Sequence, residues 1–346
     1  MFYTLLPYTL FCISCLLGNI FFIKYGNKLK LNERIQDQNI HIGSISRLGG
    51  LVIFGNLFVF SFFLELSVLL KFCIIASIMI IPAILEDLHF NINPFIRLFL
   101  IILSSLILLL DLDYLPIFNF GIMNLIFNNY QFQIIFLSLS LAAVTNGQNI
   151  IDGTNGLSAL SSLSTFCCIF YLAHQLNDEL TLEISLFVII AITIFLIFNY
   201  PFGKIFLGDC GSYLLGMLSG YLIIKIFSEN PLLPSWVAVI ILFYPSLELI
   251  FSYIRRLKAK SSPFIADNNH LHLKIYYMLS YKKKDSMLHN ALVAPFMAII
   301  WLLPLVSLPV LLDFPHFSFL AMIIIFFVYI FIYFAIPNYK NFDEKN

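Results

Sequence analysis

Long apolar runs separated by short polar ones organise this chain of 346 residues. The runs cover residues 2–23, 48–66, 68–85, 94–110, 132–144, 157–173, 182–198, 213–227, 235–253, 291–312 and 317–336. Each is near or somewhat under the roughly 20 residues that a helix needs to cross a bilayer. The pattern therefore predicts an all-α, polytopic integral membrane protein of about eleven transmembrane helices. The fifth run is short and is expected to extend into the polar stretch after it. The first is too long and too aromatic for a cleaved signal peptide, lacks a basic lead-in and ends in Lys24, so it reads as a retained helix. No repeat with a period of about 20 to 50 residues is visible, which gives an inverted-repeat transporter no support. One membrane-embedded domain spans 1–346, with a motif-bearing core at 47–276 and a long loop at 254–290.

Charge orients the array. Of the 19 Lys and Arg residues, 17 fall in odd-numbered loops or the C-terminal tail, and only Lys71 and Lys225 lie on the other side. The basic side faces the cytoplasm by the positive-inside rule, which places the N-terminus outside. Composition agrees: 60% of residues are hydrophobic and 11% charged, with mean hydropathy +0.94, against about 25% charged in soluble domains. The formal net charge is zero and says little by itself. Five of the six cysteines lie inside apolar runs, so all six read as packing residues without a disulfide framework.

Five polar motifs share the basic face. They are SRLGG (46–50), LEDLHFNINPFIRL (85–98), TNGQNIIDGTNGL (145–157), FLGDCGSYLLG (206–216) and ADNNHLHLKIY (266–276). Unrelated turns would have no reason to respect that parity, so the motifs point to one cytoplasmic active-site face. The 145–157 stretch is the centre of the set, because irregular backbone and a carboxylate at membrane depth mark a functional site by default. It also reads as a capped loop between two helices. Glu86 and Asp87 repel one another unless they share a cation or proton, and equally read as an acidic helix end in water. Asp209 lies between Gly208 and Gly211 at the start of a helix, where free N–H groups favour anions. A phosphate beside that acid implies a bridging divalent cation, such as Mg²⁺, whereas a simple N-cap needs none. His270 and His272 are spaced i and i+2, and no Cys or third His accompanies them to make a zinc site. They suit phosphate contacts instead. The neighbouring RRLKAK and KKK runs read mainly as juxtamembrane charge toward anionic lipid.

Taken together, these motifs resemble the polyprenyl-phosphate N-acetylhexosamine-1-phosphate transferase superfamily, glycosyltransferase family 4. Gly49 and Gly50 match its early Gly-Gly element, and Glu86 with Asp87 its acidic pair. Asn146, Asn149, Asp152 and Gly153 match its Asn-x-x-Asn-x-x-Asp-Gly element; Gly208, Asp209, Gly211 and Ser212 match Gly-Asp-x-Gly-Ser; His270 and His272 match His-x-His. The resemblance implies transfer of a phospho-N-acetylhexosamine from a UDP-sugar to undecaprenyl phosphate in a bacterial plasma membrane. It also implies Mg²⁺, or Mn²⁺ in its place, on Asp209 and Asn149. Catalytic roles then fall to Asp87, Glu86, Asp152, His270 and His272. Substrate contacts fall to Asn146, Gly153, Gly208, Gly211, Ser212 and Arg256. No nucleic-acid partner is expected, and a homodimer is left open. Glu86 in place of an aspartate, Asn155 in place of a second one and Leu273 in place of a third histidine point away from the lipid-I branch, toward polysaccharide initiation such as O-antigen. Two rival classes fit the motifs less well. An intramembrane aspartyl protease needs Gly where Leu207 stands and a Tyr-Asp that is absent. A transporter with Asp152, Asp209 and Glu248 as ion sites needs acids at the bilayer midplane.

Overall fold

A computed structural model describes residues 2–26, 45–118, 124–260, 269–280 and 287–338. Lys28, Lys30, Arg34, Lys282, Lys283, Lys284, Lys340, Lys345 and the first three residues of the last motif lie outside the described residues. Each of the eleven apolar runs is helical. They form α1 (Phe2–Tyr25), α2 (Gly49–Phe63), α3 (Ser67–Asp87), α4 (Pro94–Leu110), a short α5 (Asn124–Phe127), α6 (Tyr130–Ile150), α7 (Leu157–Leu176), α8 (Glu179–Asn199) and α9 (Gly208–Glu229). The chain continues with α10 (Ser235–Ile241), α11 (Phe243–Lys258), α12 (Leu271–Ser280), α13 (Met287–Phe296), α14 (Ala298–Trp301), α15 (Leu303–Asp313) and α16 (Ser318–Ala335).

The expected count of eleven spans is only partly met. Seven stretches among the described residues are long and apolar enough to cross a membrane, and an eighth arises if the bent pair α10 and α11 is one span. Helices α2 and α4 are apolar but only 15 and 17 residues long. Helix α6 has 21 residues but ends in the polar sequence TNGQNI, so it extends into its motif as expected. The ninth run breaks between Ile241 and Phe243 with a 76° bend. Pro295 and Pro309 lie within the broken tenth run, α13 to α15, where a missing N–H and the ring disfavour straight helix.

Local chemistry sets the helix ends. Asn93 accepts from the Phe95 N–H (2.9 Å) with Pro94 next to it, Asn129 from Phe132 (3.1 Å), and Asp178 from Thr181 (3.0 Å). Helix α9 is the hub, buried from Gly208 to Phe227 and packed against α2, α3, α6 and α7. A wholly buried helix can be apolar all round, and α9 is largely so between its two ends, Ser219 and the tyrosine hydroxyls aside. Those ends carry Asp209 and Lys225, and each builds a cluster of charge.

Candidate active site

The loop before α9 crosses the start of α2. Gly49 and Gly50 donate their N–H groups to the carbonyls of Phe206 (3.0 Å) and Leu207 (2.8 Å). A Cβ on Gly50 would collide with the backbone of Gly211, so the two glycines of separate motifs let the helix starts touch. Gly208 adopts φ +74°, and a Cβ there would meet the Arg47 carbonyl and lie 2.6 Å from Asp87 Oδ2. Both strain and space therefore demand glycine at this position.

Asp87 fills the space so left. It is buried, and its two oxygens accept from the N–H groups of Asp209 (3.0 Å) and Cys210 (2.9 Å). The expectation of free N–H groups at the start of α9 is thus corrected: a carboxylate from α3 caps them. That arrangement is favourable in its own right, since an anion at a helix N-terminus meets the positive end of the dipole. Glu86, one residue earlier, points elsewhere, to the Ile92 N–H (3.0 Å) and toward Arg97 (3.7 Å). The acidic pair is therefore split by the 100° turn between adjacent helix positions into two separate tasks.

Asp209 projects into the space between the motifs. Its Oδ1 accepts from Arg47 Nη2 and Asn149 Nδ2, both at 3.0 Å, and its Oδ2 from Arg97 Nη1 at 2.9 Å. Asn149 also donates to Ser212 Oγ (2.9 Å), which bonds back to the Gly208 carbonyl (3.0 Å). Four of the five motifs thus meet on one carboxylate: 46–50, 85–98, 145–157 and 206–216. The fifth reaches the same stretch through Gly153, where a Cβ would lie 2.7 Å from His272 Nε2. His270 and His272 stack with ring centroids 5.6 Å apart and 15° between planes. His270 Nδ1 lies 3.0 Å from Glu248 Oε2, while the Leu271 N–H donates to Glu248 Oε1 (3.1 Å). Helix α12 is held from behind by α16: Lys274 donates to the Tyr333 carbonyl, and Tyr333 Oη to that of Asn269 (3.0 Å).

The other expected residues are placed less centrally. Asp152 lies in the turn after α6, its N–H bonded to the Asn149 carbonyl (3.2 Å). Asn146 turns its amide onto its own helix, donating to the Ala142 carbonyl (2.8 Å), and does not contact Asp209. Arg256 sits half-buried in the last turn of α11, beside Arg255, whose Nη2 lies 3.5 Å from His270 Nδ1. Asn155 is structural: its N–H bonds Asn290 Oδ1 (2.6 Å) and its amide the Pro201 carbonyl (2.9 Å). Sequence reasoning left Arg47, Arg97 and Glu248 out of the site. Arg47 stands two residues before the Gly-Gly pair, and Arg97 one turn into α4 behind Asn93-Pro94. Those positions were the available signal.

No group of three or more His, Cys, Asp or Glu side chains among the described residues could cage a metal. The donor set does suit a cation that arrives with an anionic substrate. Mg²⁺ commonly takes one or two protein carboxylates and completes its shell with phosphate oxygens and water. Asp209 with Asn149 offers that kind of partial shell.

The described helices make this a multi-pass helical membrane protein. Residues 68–227 match glycosyl transferase family 4. A probable undecaprenyl-phosphate N-acetylglucosaminyl 1-phosphate transferase of Bacillus subtilis is 33% identical over 138 residues, 40% of this chain and 38% of that protein. An undecaprenyl-phosphate alpha-N-acetylglucosaminyl 1-phosphate transferase of Thermotoga maritima is also 33% identical over 138 residues, 40% of this chain and 41% of its own length. A phospho-N-acetylmuramoyl-pentapeptide-transferase of Dictyoglomus turgidum is 41% identical over 92 residues, 27% of this chain and 30% of that protein. The chain thus spans about two fifths of the length of the first two relatives.

Proposed function

We propose that this protein transfers a phospho-N-acetylhexosamine from a UDP-sugar to undecaprenyl phosphate and releases UMP. The observation that carries the reading is Asp209 clamped between Arg47 and Arg97, which come from two different motifs. A single carboxylate facing two guanidinium groups is arranged to exchange partners. When a pyrophosphate enters, the arginines can pass to its oxygens, since guanidinium binds phosphate as well as carboxylate. Asp209 and Asn149 would hold Mg²⁺, or Mn²⁺, which would neutralise the pyrophosphate oxygens.

In the reaction, an oxygen of the lipid phosphate attacks the sugar-bound phosphorus, and the bond from that phosphorus to the UMP oxygen breaks. Phosphoryl transfer asks a protein mainly for positioning and charge neutralisation. Arg47 and Arg97 supply positive charge, His270 and His272 contact phosphates, and Arg256 adds to the charge at the cytoplasmic rim. Asp87 fixes the start of α9, so its part is to hold Asp209 in place. Glu86 holds Arg97, and Asp152 serves the nucleotide or the inner shell. An apolar cavity of about 410 Å³ lies between α6, α9, α10 and α11, lined by Phe136, Leu141, Val144, Ile223 and Leu242 among others. Its chemistry suits an isoprenoid chain.

The charge asymmetry supports a bacterial plasma-membrane enzyme with the motifs in the cytoplasm and the N-terminus outside. Glu86 and the His-Leu-His sequence support a role in starting a polysaccharide such as O-antigen. Purified protein with undecaprenyl phosphate, Mg²⁺ and a panel of labelled UDP-N-acetylhexosamines provides the test. Labelled lipid product from at least one sugar is the expected result, and no lipid product from any of them overturns the reading.

A further inference from the structure

One buried acid takes no part in the Asp209 cluster. Glu248 lies in α11, one turn and a half beyond the 76° bend, and is 0% exposed. An ionised carboxylate so far from water needs partners that return its lost hydration. Glu248 Oε1 accepts the Leu271 N–H that opens α12, and Oε2 faces His270 Nδ1 at 3.0 Å. The histidine thus meets the acid through one ring nitrogen. Its ring lies parallel to that of His272, which abuts Gly153 next to Asp152.

We infer that Glu248 is a positioning residue that orients His270 and the start of α12 to meet a substrate phosphate. The inference rests on the proposed transferase reading and deepens it. With Nδ1 held against a buried carboxylate, the imidazole is oriented. Nε2, on the far side of the ring, is then the nitrogen left to face a substrate phosphate. Because the same carboxylate caps α12, the stretch holding both histidines is pinned to the bent helix. Glu248 itself does not touch substrate. Arg255 Nη2, 3.5 Å from the same ring nitrogen, adds a second charge beside the pair.

The test compares wild type, Glu248→Gln, His270→Ala and the double variant, all full-length in detergent with Mg²⁺. Both UDP binding and turnover are measured. Glutamine keeps the size of the side chain and an oxygen for the Leu271 N–H but removes the charge. The expected result is UDP affinity weakened about tenfold in Glu248→Gln, with KM for the UDP-sugar raised alike and kcat within about threefold. The same change made on the His270→Ala background should add less than twofold, because the two residues act through one contact. Full additivity, or wild-type UDP affinity in Glu248→Gln, overturns the inference while wild-type turnover leaves the transferase reading standing. Wild type that neither binds UDP nor makes lipid product sinks both.

Discussion

The two ends of α9 carry buried charge in opposite ways. At the Lys225 end the ammonium bonds Glu229 (2.8 Å), one turn along the same helix, and Asp178 (3.2 Å), the cap of α8. Nearby, Lys71 pairs with Asp111 (3.1 Å) across a polar cavity of about 370 Å³. Each of these cations has carboxylate partners of its own, and no backbone group is displaced to make the contact. At the Asp209 end the partners come from 60 to 162 residues away, and one acid collects two arginines and an amide. A second acid, Asp87, is given over to backbone N–H groups. The first arrangement is a strut between helix ends. The second gathers three donors from three motifs onto one carboxylate.

The largest expected effect breaks this contrast at its centre. Asp209→Asn removes the charge shared by Arg47 and Arg97 and should reduce turnover by about 10³-fold or more, with the protein still folded. Initial rates in saturating Mg²⁺ and the monodisperse yield in detergent are the measurements. A near-normal rate would remove Asp209 from the reacting centre.

Asp87→Asn comes next. It replaces one of two acceptor oxygens with a donor facing the Cys210 or Asp209 N–H, so it should both weaken the cap by about 1 kcal/mol and tilt Asp209. Turnover is expected to fall about 10²-fold together with Tm. Glu86→Asp is milder. Glu86 reaches the Ile92 N–H and Arg97 from the other side of the helix, and a shorter acid keeps the charge, so the loss should be about tenfold or less. Initial rates at matched expression, with both substrates varied, rank the two. An active Asp87→Asn beside a dead Glu86→Asp would reverse the roles given to the pair.

Much of this contrast was legible in the sequence. Eleven apolar runs announced helices, and the shared parity of five polar motifs announced that they meet. The splitting of Glu86 from Asp87 follows from helix geometry alone. What could not be read is which side chain meets which. Asp87 reads as a reactive acid because nothing local tells that α9 begins beside it; only the loop across Gly50 and Gly211 brings the two together. Arg47 and Arg97 were hidden for a different reason. Basic residues at cytoplasmic helix ends are expected for orientation, and that expectation masks the two that turn inward. The bend after Ile241 was invisible too, since α10 and α11 form one continuous apolar run, and with it the place of Glu248.

The smallest effect on rate is expected at the far end. Lys225→Met removes the strut without touching any residue around Asp209, so turnover should stay within about twofold of wild type while Tm falls. The pH dependence sharpens the point. Burial alone would raise the pKa of Asp178, but the hydrogen bonds from Thr181 and the Lys225 ammonium outweigh it and hold the carboxyl below its usual 3.8. A depressed carboxylate pKa contributes stability above the unfolded value and loses it as pH falls through the folded one. The wild type should therefore lose this contribution only below about pH 4. Without Lys225 the folded pKa moves back toward 3.8, and the acid-side loss from this group shrinks. Thermal unfolding of both proteins from neutral pH down to about pH 3 measures it. The variant curve should start lower and fall less steeply. If Lys225→Met instead abolishes turnover at an unchanged Tm, the far cluster is no strut, and the two ends of α9 are coupled parts of one site.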